Sequence, residues 1–178
     1  MKINIKGIKV FKSEIFYDNR GSFKEVYKQK LLADKKLIFD CVSNSKQNVL
    51  RGLHLQTKNP QAKFITVIKG KIFDVAVDLR KNSNTFGKYF SIILSNKSTY
   101  SSIYIPEGFA HAFCGLEMEN IVYYGCSSYR EKNHEIGIVW NDKNLKIKWP
   151  IKKPILSKKD FNNISFQEYC DKYNLKWS

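Results

Sequence analysis

The sequence predicts an all-β barrel or sandwich, and three observations carry that prediction. Short runs of period-two alternation recur through the middle of the chain. Turn residues separate these runs at close, regular spacing. Helix signals are few and short. In 71–79, Phe73, Val75, Val77 and Leu79 share one face, while Ile72, Asp74, Ala76 and Asp78 share the other. Similar runs occur at 64–68, 89–94, 101–105, 121–128 and 136–140. Lys69-Gly70, Asn82-Ser83-Asn84, Asn96-Lys97 and Pro106-Glu107-Gly108 punctuate them. A turn or two of helix is expected over 31–37. A firmer helix is expected over 165–173. There Ser165 can cap, Glu168 sits at the capping-box position, and Phe166, Tyr169, Cys170 and Tyr173 follow at helical spacing.

A chain of 178 residues with 43% hydrophobic residues, 12 Phe, 10 Tyr and 3 Trp reads as one domain, 1–178, with a packed core. The formal charge of +15 favours anionic partners, but the lysines are scattered and read mostly as a solvated surface. No apolar run approaches a membrane span, and Met1-Lys2-Ile3-Asn4-Ile5-Lys6 has no signal-peptide core. Cys41, Cys114, Cys126 and Cys170 show no C-x-x-C spacing. They read as free thiols in a reducing cytoplasm, with no zinc site.

Three histidines, His54, His111 and His134, are the candidates for a neutral-pH base; His134 reads as a loop residue. In an extended stretch Lys63 shares a face with Ile65 and Val67, so its ammonium can point inward, where a lysine needs a reason. Adjacent Tyr123 and Tyr124 point to opposite faces of a strand, so only one can line a site.

Several segments, in order, resemble the dTDP-4-dehydrorhamnose 3,5-epimerases over nearly the whole length. They include Asp18-Asn19-Arg20-Gly21-Ser22-Phe23, Arg51-Gly52-Leu53-His54-Leu55-Gln56 and Gln61-Ala62-Lys63. Ile105-Pro106-Glu107-Gly108-Phe109-Ala110-His111, Gly137-Ile138-Val139-Trp140-Asn141-Asp142 and Pro154-Ile155-Leu156-Ser157-Lys158-Lys159-Asp160 continue the match. The resemblance implies a cupin-like double-stranded β-helix, with a jelly roll over about 40–142 and a C-terminal tail bearing a short helix. It also implies a homodimer, and no metal or coenzyme.

The family's chemistry removes a proton beside a 4-keto group, forms an enolate, and returns a proton to the opposite face. The resemblance makes His54 the base, Asp160 the carboxylate that orients it, Lys63 the enolate's cationic partner and Tyr124 the opposite-face acid. It makes Arg20, Phe23, Glu25, Arg51, His111, Glu135 and Lys159 contacts to a nucleotide-diphosphate sugar, Phe23 sometimes across the dimer. Two departures stand out: Phe39-Asp40-Cys41 replaces the family's Gln-x-Asn, and His111-Ala112-Phe113 replaces His-Gly-Phe. The first opens the substrate to either a dTDP-linked 6-deoxyhexose or a GDP-linked 6-deoxyheptose.

Competing readings fare less well. A metal-binding cupin or a 3,4-ketoisomerase of the same fold is expected to carry His-x-His, where this chain has His54-Leu55-Gln56. A nucleic-acid binder is expected to show a recognition motif or a basic cluster, and neither is present in the sequence.

Overall fold

A computed structural model describes residues 4–32 and 35–177. Among them are twelve strands: β1 (Lys9–Lys12), β2 (Ile15–Asp18), β3 (Gly21–Lys24), β4 (Phe39–Lys46), β5 (Leu50–Gln56), β6 (Lys63–Lys69), β7 (Lys71–Asp78), β8 (Tyr89–Ser95), β9 (Tyr100–Ile105), β10 (Phe109–Gly115), β11 (Glu119–Cys126) and β12 (Glu135–Gly137). Two short helices follow, α1 (Lys158–Phe161) and α2 (Phe166–Lys172).

Ten strands form two antiparallel five-stranded sheets, in the orders β1-β9-β6-β11-β4 and β12-β5-β10-β7-β8. From β4 to β12 the chain crosses repeatedly between the sheets, the pattern of a jelly roll. β2 and β3 form a separate hairpin.

Alternation along the strands builds two cores. Between the sheets, Ile72, Ala76, Ile65, Val67, Phe113 and Val122 are buried together. On the outer face of the second sheet, Val75, Val77, Leu79, Ala110 and Ala112 are covered by Phe166, Tyr169 and Cys170 from the C-terminal segment. Both faces of β7 are therefore buried, and the two carboxylates of its inner set, Asp74 and Asp78, are buried with partners, His111 and Arg80. The C-terminal segment is thereby fixed beside β5, and this matters for the site.

α2 forms where the capping box predicts it: Ser165 accepts from the Glu168 amide and the Glu168 carboxylate accepts from the Ser165 amide. Two local expectations need correcting. Over 31–37 there is a single 3-10 turn, Gln29–Leu31, and no regular structure over 35–38; Ala33 and Asp34 lie outside the described residues. The segment is held instead by Leu32 and Leu37 packing around Phe64, with too few residues to repay helix nucleation. The regular strand expected over 136–140 ends at Gly137: Ile138 still exchanges both backbone hydrogen bonds with Leu53, but the Val139 amide turns to Ile164 in the C-terminal segment.

Candidate active site

A cavity of about 320 Å³ opens between the two sheets. It is lined by Phe39, Cys41 and Ser43 of β4, Arg51 and His54 of β5, Gln61, Lys63 of β6, His111 and Phe113 of β10, Tyr124 and Cys126 of β11, Arg130 and Glu135. Period-two geometry delivers the residues of β4, β10 and β11, while on β5 a register shift against β10 lets both Arg51 and His54, three apart, line the cavity. Leu53 and Leu55 face the outer core, so His54 faces inward. On β10 the small Ala110 and Ala112 face the C-terminal segment, and His111 and Phe113 face the cavity.

His54 and Asp160 are brought together across 106 positions of sequence. His54 Nε2 lies 2.5 Å from Asp160 Oδ1. Asp160 is buried, and its second oxygen accepts from Ser157 Oγ at 2.8 Å. Ser157, not Asp160, is the cap of α1, so the Asp160 carboxylate is free to hold the histidine. Burial pushes the Asp160 pKa up. The His54 hydrogen bond and charge, Ser157 and the Gly52 amide outweigh that and leave it below the usual value. With Nε2–H donating to Asp160, Nδ1 is the nitrogen left to accept a proton.

Gly52 makes this packing possible. Its φ is +113°, and a Cβ there would lie 2.6 Å from Ala112 Cβ and 2.7 Å from Ala112 Cα. Only glycine lets β5 lie this close to β10, with His54 and His111 directly opposite one another.

His111 has a carboxylate of its own. Its Nε2 is 2.8 Å from Asp74 Oδ2, and both side chains are buried. Tyr124 stands beside it with ring centroids 6.4 Å apart, and its hydroxyl is 3.0 Å from Ser43 Oγ. Burial raises the Tyr124 pKa above the usual phenol range, so the group is a protonated donor at neutral pH. Tyr123 points the other way and donates to Asp40 at 2.8 Å.

Lys63 reaches the cavity as its alternation predicts, opposite Cys126 on β11 and Ile105 on β9. Among the described residues it has no salt-bridge partner. Burial lowers its pKa, with the field of Cys126, Glu135, Cys41 and Asp74 opposing. An ammonium with no fixed counter-ion is poised to meet a developing oxyanion.

The remaining candidates divide. Arg51 lines the cavity, with Nε donating to Ser45 Oγ at 2.9 Å. Glu135 lines it too, clamped by Arg130 (both contacts 2.8 Å) and by Lys159 Nζ at 2.6 Å. These cations hold its pKa at about 2; the Arg130 hydrogen bonds act most strongly, burial opposes, and Lys159 adds to the lowering. Lys159 thus touches the site through Glu135. Arg20, Phe23 and Glu25 do not line the cavity. Arg20, beside the β2–β3 hairpin, pairs with Asp18 at 2.6 Å; Phe23 is 64% exposed; Glu25 pairs with Lys28. His134 lies in a short 3-10 turn, as expected of a loop residue. Arg130 and Cys126 are cavity residues that sequence reasoning passed over. Cys126 was accessible by period two from Tyr124, whereas nothing in the pattern of the 126–135 loop singles out Arg130.

A two-sheet jelly roll enclosing a His–Asp pair, a tyrosine and a lysine with no acid partner is the architecture of a carbon-acid isomerase. The family model described as dTDP-4-dehydrorhamnose 3,5-epimerase matches residues 2–168. The Shigella flexneri dTDP-4-dehydrorhamnose 3,5-epimerase is 41% identical over 172 residues, covering 93% of this chain and 94% of its own. The Legionella pneumophila dTDP-6-deoxy-D-glucose-3,5-epimerase, solved with dTDP-4-keto-L-rhamnose, superposes with a TM-score of 0.90 at 34% identity, covering 100% of this chain and 97% of that one. NovW of Streptomyces spheroides, a 4-keto-6-deoxy sugar epimerase, also gives 0.90, at 30% identity over 98% and 90% of the two chains. The chain belongs to the dTDP-4-dehydrorhamnose 3,5-epimerase family, with its cupin-like fold, and is an isomerase.

Proposed function

We propose that this chain epimerises a nucleotide-diphosphate-linked 4-keto-6-deoxy sugar at C3, at C5 or at both, without a cofactor. The observation that carries the reading is the shared cavity of His54, Lys63 and Tyr124, with Asp160 fixed behind the histidine. His54 Nδ1 takes the proton from carbon, and the C–H electron pair moves into the ring as the C4 carbonyl oxygen becomes an enolate. Lys63 stabilises that oxygen. Tyr124 then delivers a proton to the opposite face, the carbonyl re-forms, and Asp160 supports the imidazolium throughout.

Arg51 and Arg130 offer guanidinium groups to the diphosphate. We assign Arg20, Phe23 and Glu25 to the site across a homodimer, with the exposed Phe16 and Phe23 hairpin reaching the partner's nucleotide. Glu135 and Lys159 order the cavity rim. His111, held by Asp74, contacts the sugar. The family and its Legionella member favour a dTDP-linked hexose. Phe39 and Cys41 in the cavity wall favour testing a GDP-linked heptose beside it. The free thiols and a nucleotide-sugar substrate fit a cytoplasmic enzyme. Among the described residues no helix is long and apolar enough to cross a membrane. Neither nucleic acid nor a membrane is invoked as a partner.

Proton NMR in heavy water with dTDP- and GDP-linked 4-keto sugars tests this. Loss of the H3 or H5 signal without added metal is expected, and Tyr124→Phe should slow inversion more than the first exchange. No exchange with any sugar, or exchange that requires metal, overturns the reading.

A further inference from the structure

The cavity holds two groups that proton transfer does not use. Cys41 of β4 and Cys126 of β11 both line it. The register explains the meeting. Cys41 is opposite Tyr124 and Cys126 is opposite Phe39, so the cysteines are diagonal neighbours on one face. Tyr124 and Ser43 use the same diagonal for their hydroxyl contact. The other two cysteines, Cys114 and Cys170, are buried.

We propose that Cys41 and Cys126 form an oxidisable dithiol, and that a peroxide converts it to a disulfide that closes the catalytic cavity. This rests on the cavity being the active site, as proposed above. Cys41 is exposed, so an oxidant entering the cavity meets it first, with Cys126 buried behind it. Peroxide oxidises the Cys41 thiol to a sulfenic acid and is itself reduced to water. The Cys126 sulfur then attacks the sulfenic sulfur, forming the S–S bond and releasing a second water. Two thiols lose two electrons and two protons, and one peroxide is consumed.

Lys63 and Arg130 favour the Cys41 thiolate, while burial, the larger effect, and Asp40 oppose it. The pair therefore resists casual oxidation, and its slow reaction answers to sustained peroxide. Its consequence follows from position. Cys126 is the β11 residue paired with Lys63, and Cys41 is the β4 residue paired with Tyr124. A covalent link between them fixes a disulfide on the cavity wall beside the groups that serve the enolate and the returning proton.

The test treats the full-length protein with hydrogen peroxide and follows three readouts. Non-reduced peptide mapping should find a Cys41–Cys126 cross-link, thiol titration should fall by two per chain, and C–H exchange should fall at least about tenfold, recovering with dithiothreitol. Cys41→Ser and Cys126→Ser should each show the same exchange rate before and after peroxide. Sulfinic acid without the cross-link overturns the proposal, as does a cross-linked protein with undiminished exchange. If the untreated protein exchanges no sugar proton, the functional reading fails, while the cross-link and thiol count still report on the pair. In that case a cross-link that leaves nucleotide binding unchanged overturns the closure of the cavity.

Discussion

Replacing Asp160 with Asn isolates the contribution of one negative charge. The wild-type carboxylate accepts from His54 at 2.5 Å and from Ser157 Oγ at 2.8 Å. Asparagine fits the same space. Its carbonyl can still accept from His54 Nε2–H, while its NH2 donates to a rotated Ser157 hydroxyl, which is both donor and acceptor. The fold is therefore retained, and what disappears is the charge that stabilises the imidazolium. A hydrogen bond to a charged group contributes about 1.5–3 kcal/mol, and the upper end of that range is about a hundredfold in rate. If the amide instead turns its NH2 toward Nε2, the wrong tautomer is favoured and the loss grows to roughly 10⁴. The expected fall in C–H exchange is thus between about 10 and 10⁴, with a folded protein whose melting temperature at neutral pH is modestly lower, because the folded chain favours the charged Asp160. The assay is the initial rate of deuterium incorporation by NMR, beside a thermal melt of the same sample. A rate within about threefold of wild type, less than 1 kcal/mol, would show that Asp160 does not serve the base.

Two further outcomes separate function from stability. Lys63→Met should slow exchange by on the order of 10²–10³, the cost of removing one preorganised stabiliser, yet raise the melting temperature at neutral pH. Burial lowers the Lys63 pKa, so between its folded and unfolded values the folded chain binds fewer protons, and the lysine weakens the fold below that window; a drop in melting temperature with unimpaired exchange would contradict this. Glu135 behaves oppositely: its pKa of about 2 against an ordinary 4.5 gives stability present above pH 4.5 and lost as the pH falls toward 2. Glu135→Gln should flatten acid unfolding over that interval, and added salt should shrink the difference because Arg130 and Lys159 are each 49% exposed. An acid-unfolding curve that superposes on wild type would remove the clamp from the stability argument.

Of the four groups proposed to react, His54, Lys63 and Tyr124 were named by resemblance, and a rule that acts over a few residues accounts for how each faces the cavity. His54 sits between two leucines that must face the outer core, and Lys63 alternates with Ile65 and Val67. Tyr124 and Tyr123 are separated by the pleat of β11 alone. Asp160 was readable only through family resemblance, since no local pattern joins it to a histidine 106 residues earlier. The strand framework was legible for the same short-range reason, and it failed where tertiary contacts override alternation. Val139 has strand character, but Ile164 takes its amide hydrogen bond. Residues 31–37 have helical spacing, but Phe64 captures their leucines. Arg20, Phe23 and Glu25 were named from resemblance, and one chain alone does not bring them to the cavity.

Charge tells the same story at larger scale. The 31 lysines and arginines outnumber the 16 acids, and on composition alone this invites a nucleic-acid reading. The cavity needs only Arg51, Lys63 and Arg130 from that surplus. What makes the cavity electropositive is the engagement of its acids. Asp160 is committed to His54, Asp74 to His111 and Glu135 to Arg130 and Lys159. Lys63 faces Cys126 on β11 and, among the described residues, has no paired carboxylate; only the fields of Glu135 and Asp74, beside those of Cys126 and Cys41, support its charge. A low-dielectric pocket with one unpaired ammonium stabilises an enolate far more than a solvated surface lysine does, and the proposed chemistry rests on that local arrangement, not on the net charge.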